Sequence, residues 1–229
     1  MESSLHIVSP PTLRAQVSAR LREAIASGRF RPGDRLIERE LCELMSVSRT
    51  SIREALRELE SERLVTILPN RGPVVSTIDI EQARSIYQVR SVLEGLACRL
   101  FARRATDKQL EQLEAHIVDL AKAYGKRDLV KALEAKRKFY DILLEAAANE
   151  IAGWMLKNMH IRVSQLRLLS LSNRNRDQES LAEYRLIVAA LKRRDEDEAW
   201  AACVRHVDNA AAAMLASLGP VEQAQASRA

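Results

Sequence analysis

The chain has 229 residues, enough for one large domain or two ordinary ones. Hydrophobic residues make up 47%, charged 29% and aromatic only 4%, with seven Gly and six Pro, which excludes a turn-dense β fold and points to mostly helix. The net charge of +5 permits a polyanionic partner without requiring one. No stretch reaches the ~18 apolar residues of a membrane span and no signal-peptide core opens the chain, so a soluble, cytoplasmic protein with no membrane partner is expected.

Residues 1–11 are polar, end in Pro10-Pro11 and read as a mobile arm. Thr12 caps a helix that carries Leu13, Val17, Leu21 and Ile25 on one face, and Gly28 stops it. After a turn at Pro32-Gly33-Asp34 come two short helices. The first is Glu38–Met45, with Leu41, Leu44 and Met45 inward. The second spans about 49–62, capped by Ser48, with Ile52, Ala55, Leu56 and Leu59 inward. Ser46-Val47 forms the corner between them. Two β-branched runs, 64–68 and 74–78, then flank Pro69-Asn70-Arg71-Gly72-Pro73, a hairpin with a basic tip. Three helices and a small hairpin form a winged helix-turn-helix over residues 1–76.

From residue 77 to 218 the pattern is helical almost without pause. Six helices are expected at about 80–104, 107–124, 128–147, 149–172, 178–193 and 195–217, with Thr106, Asn149 and Asp195 as N-caps. Similar lengths and short joints favour an antiparallel bundle. Residues 219–229, after Gly219-Pro220, are small and polar and read as a disordered tail. The fold class is therefore mainly α, a winged helix-turn-helix followed by an all-α bundle.

Residues 1–76 hold twelve Arg and no Lys. A GC-rich genome gives the same bias, but Arg also supplies the planar fork that pairs with guanine or phosphate. Arg49, Arg53 and Arg57 recur every four residues, opposite the apolar stripe of their helix. The second helix of a helix-turn-helix enters the major groove with its N-terminal residues at the bases. Arg49 and Arg53 would lie there, with Ser48, Thr50 and Ser51 as phosphate donors and Arg39 and Arg71 flanking. The alternative is a solvated face on which Glu54, Glu58 and Glu60 neutralise the arginines.

The run PGDRLIERELCELMSVSRTSIREALRELESERLV, followed by NRGPVV, resembles the N-terminal domain of the GntR family of regulators. The resemblance implies DNA contacts from Arg39, Ser48, Arg49, Thr50, Ser51, Arg53 and Gly72. Two departures stand out: Met45-Ser46 replaces the usual Leu-Gly, and Ser51 a frequent Pro. The segments YQVRSVLEGLACRLFARRAT, FYDILLEAAANE and SLAEYRLIVAALKRRDEDEAWAACVRHV resemble the FadR-type subgroup with an FCD effector domain, in its six-helix, VanR-like form.

Many FCD domains hold a divalent metal through Asp and His ligands. The pattern D-x-x-F-H falls here on Lys136-Arg137-Lys138-Phe139-Tyr140, the usual Glu-His is Glu183-Tyr184, and only His206 is retained. A lysine where the cation would sit opposes binding, so no metal and no cofactor are expected. Lys136 would instead supply a fixed positive charge, with Tyr140, Tyr184 and His206 as hydrogen-bonding groups. Arg90 would grip a carboxylate, and Arg162 is a further candidate one helix over. The implied effector is a small organic acid; the alternative is that Lys136 snorkels outward and the tyrosines fill a core.

His6, His116 and His160 read as surface or capping residues, Trp154 and Trp200 as packing anchors, and Cys42, Cys98 and Cys203 as small buried hydrophobes far apart in sequence. No nucleophile–base pair or Gly-rich phosphate loop is visible, so an enzyme is not expected. The sequence thus reads as a homodimeric repressor or activator that binds double-stranded, palindromic operator DNA and is tuned by an organic anion. A ligand-independent regulator with a degenerate sensor is the second reading.

Overall fold

The computed structural model describes residues 12–171 and 176–226, with the backbone alone at 160, 167–171 and 217–226. The expected N-terminal arm and His6 lie outside the described residues, as does the His160 side chain. Two compact units divide at Thr77 and Ile78.

The first unit contains α1 (Leu13–Ala26), α2 (Glu38–Met45), α3 (Arg49–Ser61) and the antiparallel strands β1 (Val65–Leu68) and β2 (Gly72–Val75). Thr12 Oγ1 accepts from the Ala15 N–H and caps α1, whose Val17, Leu21 and Ile25 are buried. They meet Ile52, Ala55, Leu56 and Leu59 of α3, which are also buried. The Pro-Gly-Asp turn does more than reverse the chain. Gly33, Asp34 and Leu36 bond to the backbone of Pro73 and Val75, so this segment lines the outer edge of β2. Leu44 departs from expectation: it is exposed, and only Leu41 of α2 is fully buried.

The second unit consists of α4 (Ile80–Arg104), α5 (Asp107–Gly125), α6 (Leu129–Ala147), α7 (Glu150–Leu171), α8 (Arg176–Lys192) and α9 (Glu196–Ala226). Thr106 forms a full capping box with Gln109, while Asn149 and Asp195 accept from the Ala152 and Glu198 N–H groups. The helix expected to end near 217 continues to Ala226, through Gly219-Pro220 and into the segment expected to be a disordered tail. α4 and α9 pack most closely. A Cβ on Gly95 would meet Val204 and Trp200 at 3.1–3.3 Å, so glycine is what lets the two helices approach.

Trp200 serves as the expected anchor there and also carries the Arg99 guanidinium 4.9 Å above its ring. Trp154 does not: it is 63% exposed on α7 beside exposed Ile151 and Met155. Cys98 and Cys203 are both buried, and the two thiols meet across the α4–α9 contact. Cys42 is only half-buried.

Candidate functional site

The helix-turn-helix corner is built on Ser46 and Ser48. Ser46 sits in the left-handed region (φ 54°, ψ 45°), the conformation that favours the glycine usual in the resembling family. Ser48 then starts α3, its Oγ accepting from the Ser51 N–H at 3.3 Å. A proline at 51 would lack that donor, so the departure at Ser51 provides a cap partner. Thr50 is exposed one residue inside the cap.

Of the three carboxylates that could neutralise the arginine row, Glu58 is engaged elsewhere, while Glu54 and Glu60 are exposed and make no ion pair with a described residue. Glu58 accepts from Ser18 at 2.9 Å and pairs with Arg22, and Arg22 Nε also holds Glu62 at 2.8 Å. These bonds pin α3 to α1 on the side away from the row. Arg39, Arg49, Arg57 and Arg71 are exposed and make no ion pair with another described residue. Arg53 differs: its Nε lies 2.9 and 3.0 Å from the two carboxylate oxygens of Glu38, the first residue of α2. That contact leaves the outer end of the guanidinium for a ligand and sets its direction. Arg71 stands at the wing tip, where Asn70 and Gly72 both take positive φ to close the turn.

In the second unit three helix faces converge. Lys136, Phe139 and Tyr140 share one face of α6, Arg176, Ser180, Glu183 and Tyr184 one face of α8, and His206 and Asn209 one face of α9. Lys136 does not snorkel. It is 5% exposed, donates to Ser180 Oγ at 3.3 Å, and lies 5.6 and 5.8 Å from the centres of the Tyr184 and Tyr124 rings. Tyr184 lies against His206 with ring centres 4.4 Å apart and planes tilted by 53°, and meets Tyr140 edge-on at 6.5 Å. Four of the expected effector residues, Lys136, Tyr140, Tyr184 and His206, are therefore gathered in one cluster.

Glu183 organises that cluster, and the sequence reading missed it together with Arg176 and Asn209. Arg176 donates to both Glu183 oxygens, His206 Nδ1 lies 2.6 Å from Oε2, and Asn209 Nδ2 donates to Oε1 at 2.7 Å. Burial raises the Glu183 carboxyl, but hydrogen bonds from His206 and Arg176 outweigh it and hold the pKa at about 2. Burial lowers His206 to about 4, aided by the charge of Lys136 and against the bond to Glu183, so the ring is neutral near pH 7. The available signal was the seven-residue spacing of Arg176 and Glu183, two turns on one helix face.

Arg90 and Arg162 stand differently. Arg90 is 1% exposed and fixed by Glu94 one turn on, at 2.9 Å from Nε, while its Nη1 is buried without a hydrogen bond. Arg162 is half-buried and donates to Gln82 near the start of α4. The residues do not fit a divalent metal. Among the described residues no three His, Cys, Asp or Glu side chains cluster, and the ligand position holds Lys136, with Arg176 nearby.

Residues 13–75 match the family model described as "Bacterial regulatory proteins, gntR family", and residues 85–209 match the model described as "FCD domain". The chain belongs to the GntR family of bacterial regulatory proteins, with an FCD domain. It is 28% identical over 207 residues to the HTH-type transcriptional repressor RspR of Escherichia coli (strain K12), covering 90% of each chain. Identity to the Nta operon transcriptional regulator of Aminobacter aminovorans is 29% over 178 residues, 78% of this chain and 83% of that one. The solved structure of E. coli McbR/YncC superposes with a TM-score of 0.78 at 26% identity, over 91% of this chain and 98% of that chain. This GntR-family chain is a DNA-binding transcription regulator, and its fold is the winged helix-turn-helix with a helical FCD domain. Its relatives regulate transcription and are not enzymes.

Proposed function

We propose that α3 is the recognition helix of a cytoplasmic homodimer bound to a palindromic operator, and that a small organic anion in the helical unit changes operator affinity. Arg49 and Arg53 would read base edges, Ser48, Thr50 and Ser51 would donate to phosphates, and Arg39, Arg71 and Gly72 would hold the flanking backbone. No described helix is long and apolar enough to cross a membrane.

The observation that carries the effector half is the burial of Lys136. A lysine 5% exposed beside Ser180, Tyr124, Tyr184 and a neutral His206, with the Asp177 carboxylate also within electrostatic reach, keeps a charge inside the helical unit at a cost. An anion entering beside Lys136, with Tyr140, Tyr184 and His206 as hydrogen-bonding partners, would offset that cost. Arg90 and Arg162 would act from α4 and α7.

The test is operator release, followed by fluorescence anisotropy on a duplex selected from a random pool, with acetate, pyruvate, malate and citrate as probes. At least one acid should weaken binding tenfold or more in the native chain, and Lys136→Ala should abolish that response. A response unchanged in Lys136→Ala would contradict the assignment. Absence of any response, with Lys136→Met folding normally, would favour the ligand-independent regulator, which the closed Arg176–Glu183–His206 network also suits.

A further inference from the structure

A groove of about 270 Å³ lies between α5 and α6, near the turn that joins them and apart from the Lys136 cluster. His116, Asp119, Lys122 and Lys126 line one side, Lys131, Glu134 and Lys138 the other, with Ala123 and Ala135 between them. These positions recur every three or four residues, so each helix turns one face to the groove. The two alanines are buried, and their short side chains keep the space open. Asp119 pairs with Lys122 at 3.4 Å and lies 3.8 Å from His116 Nδ1, and Glu134 pairs with Lys138 at 2.8 Å. Each of these contacts stays within one helix, and among the described residues no ion pair crosses the groove. Lys126 makes no ion pair with a described residue. Lys131 reaches only Asp128, at 3.0 Å, a carboxylate outside the lining that also caps α6 by accepting the Lys131 N–H. Nor are lysine side chains needed to close α5: the carbonyls of Lys122, Ala123 and Tyr124 accept from the N–H groups of Lys126, Asp128 and Arg127.

We propose that this groove binds a phosphate group, carried by a small phosphomonoester or present as free phosphate. Once Lys122 and Lys138 have matched the two lining carboxylates, Lys126 and Lys131 remain in excess on facing walls. Their charge suits the roughly −1.5 to −2 of a phosphomonoester near pH 7, whereas a monocarboxylate would satisfy only one of them. All four lining cations are lysine, a flexible point charge that follows tetrahedral phosphate oxygens, and none is arginine, whose planar fork fits a flat carboxylate. The exposed pairs on the walls are weak enough to be redirected when a ligand enters. The volume lies just below the usual range for small-molecule pockets, about 300–1,000 Å³, and suits an ester of a few carbons. The lining shares no residue with the Lys136 cluster, so this second anion site stands apart from the proposed effector.

The experiment is calorimetry on the full native chain at fixed, low ionic strength and near-neutral pH, with glycerol 3-phosphate, glycerate, glycerol and inorganic phosphate as probes. Glycerol 3-phosphate should bind about fivefold or more tighter than glycerate, and glycerol should not bind. Inorganic phosphate binding at least as tightly as the ester would identify free phosphate as the ligand, and weaker binding a phosphorylated metabolite; both support the site. Lys126→Met and Lys131→Met fall on exposed positions and should each weaken binding about threefold or more, and the double variant should abolish it, with melting temperatures close to native. Arg49→Ala, Lys136→Met and Lys157→Met should bind as the native chain does, which separates the groove from the arginine row, the buried cluster and general surface charge. Glycerate binding as tightly as glycerol 3-phosphate, or binding that survives in the double variant, would overturn the proposal. So would a native chain that binds neither phosphate compound, including the case in which the double variant weakens only attachment to random duplex, the mark of a surface for the DNA backbone.

Discussion

The two units use positive charge in opposite ways. In the first, Arg39, Arg49, Arg57 and Arg71 are exposed and make no ion pair with a described residue. In the second, Arg90, Lys136 and Arg176 are each 5% exposed or less, and each is bound to a neighbouring side chain. An exposed guanidinium stays hydrated until a polyanion displaces its counterions, so leaving it open costs the fold nearly nothing. A buried cation must be matched at once by acceptors, rings or a ligand, and so it becomes part of the fold's stability. The first arrangement suits reading a partner; the second suits sensing one.

The largest test of this contrast falls on the buried network. Arg176→Met should destabilise the helical unit by about 3 kcal/mol, because Glu183 would be left among Lys136, His206 and Asn209 without its main partner. Urea unfolding should show the loss, whereas Arg57→Met on the exposed row should change stability by less than about 0.5 kcal/mol. Equal costs would erase the distinction.

Acid should act on the same network. The unfolded chain protonates His206 below about 6.5 and Glu183 below about 4.5, the folded chain only below about 4 and about 2. Across both windows the unfolded state binds more protons, so stability is fully present above pH 6.5 and falls as pH drops. His206→Gln should flatten the upper part, between pH 6.5 and 4, in melting temperatures recorded against pH. A native chain whose melting temperature is flat across that range would show that His206 is not held neutral.

Smaller effects sharpen the reading head. Glu38→Gln should loosen Arg53 and cost about 1 kcal/mol of specific operator binding, read as a weaker preference at the base pair it faces. A uniform loss on specific and random duplexes would mean that Glu38 matters only for the fold. Ser46→Gly, which relieves the left-handed corner, should stabilise the first unit by about 0.5–1 kcal/mol in thermal unfolding.

Much of the first unit was legible because local rules decide it. Thr12 and Ser48 cap their helices, Gly72 closes the wing turn, and the stripe at Ile52, Ala55, Leu56 and Leu59 orients α3. Helix limits in the second unit followed from caps at Thr106, Asn149 and Asp195 for the same reason. Its site was less legible because it depends on long-range pairing. Arg176 reads as one more charge in the polar run Ser172–Asp177 until α9 brings His206 and Asn209 to Glu183. Likewise the four-residue step from Arg90 to Glu94 does not reveal that both are buried and paired. Trp154 is the reverse case, a large apolar side chain left exposed where size suggested packing.

The most direct test of the central claim compares Arg49→Ala with the native chain on a selected operator and on random duplex of the same length, at fixed salt. The account predicts a loss of about 1–3 kcal/mol on the operator, a smaller loss on random DNA, and a relaxed preference at the base pairs facing α3. An equal loss on both duplexes, with base preference unchanged, would contradict the claim that this helix reads sequence.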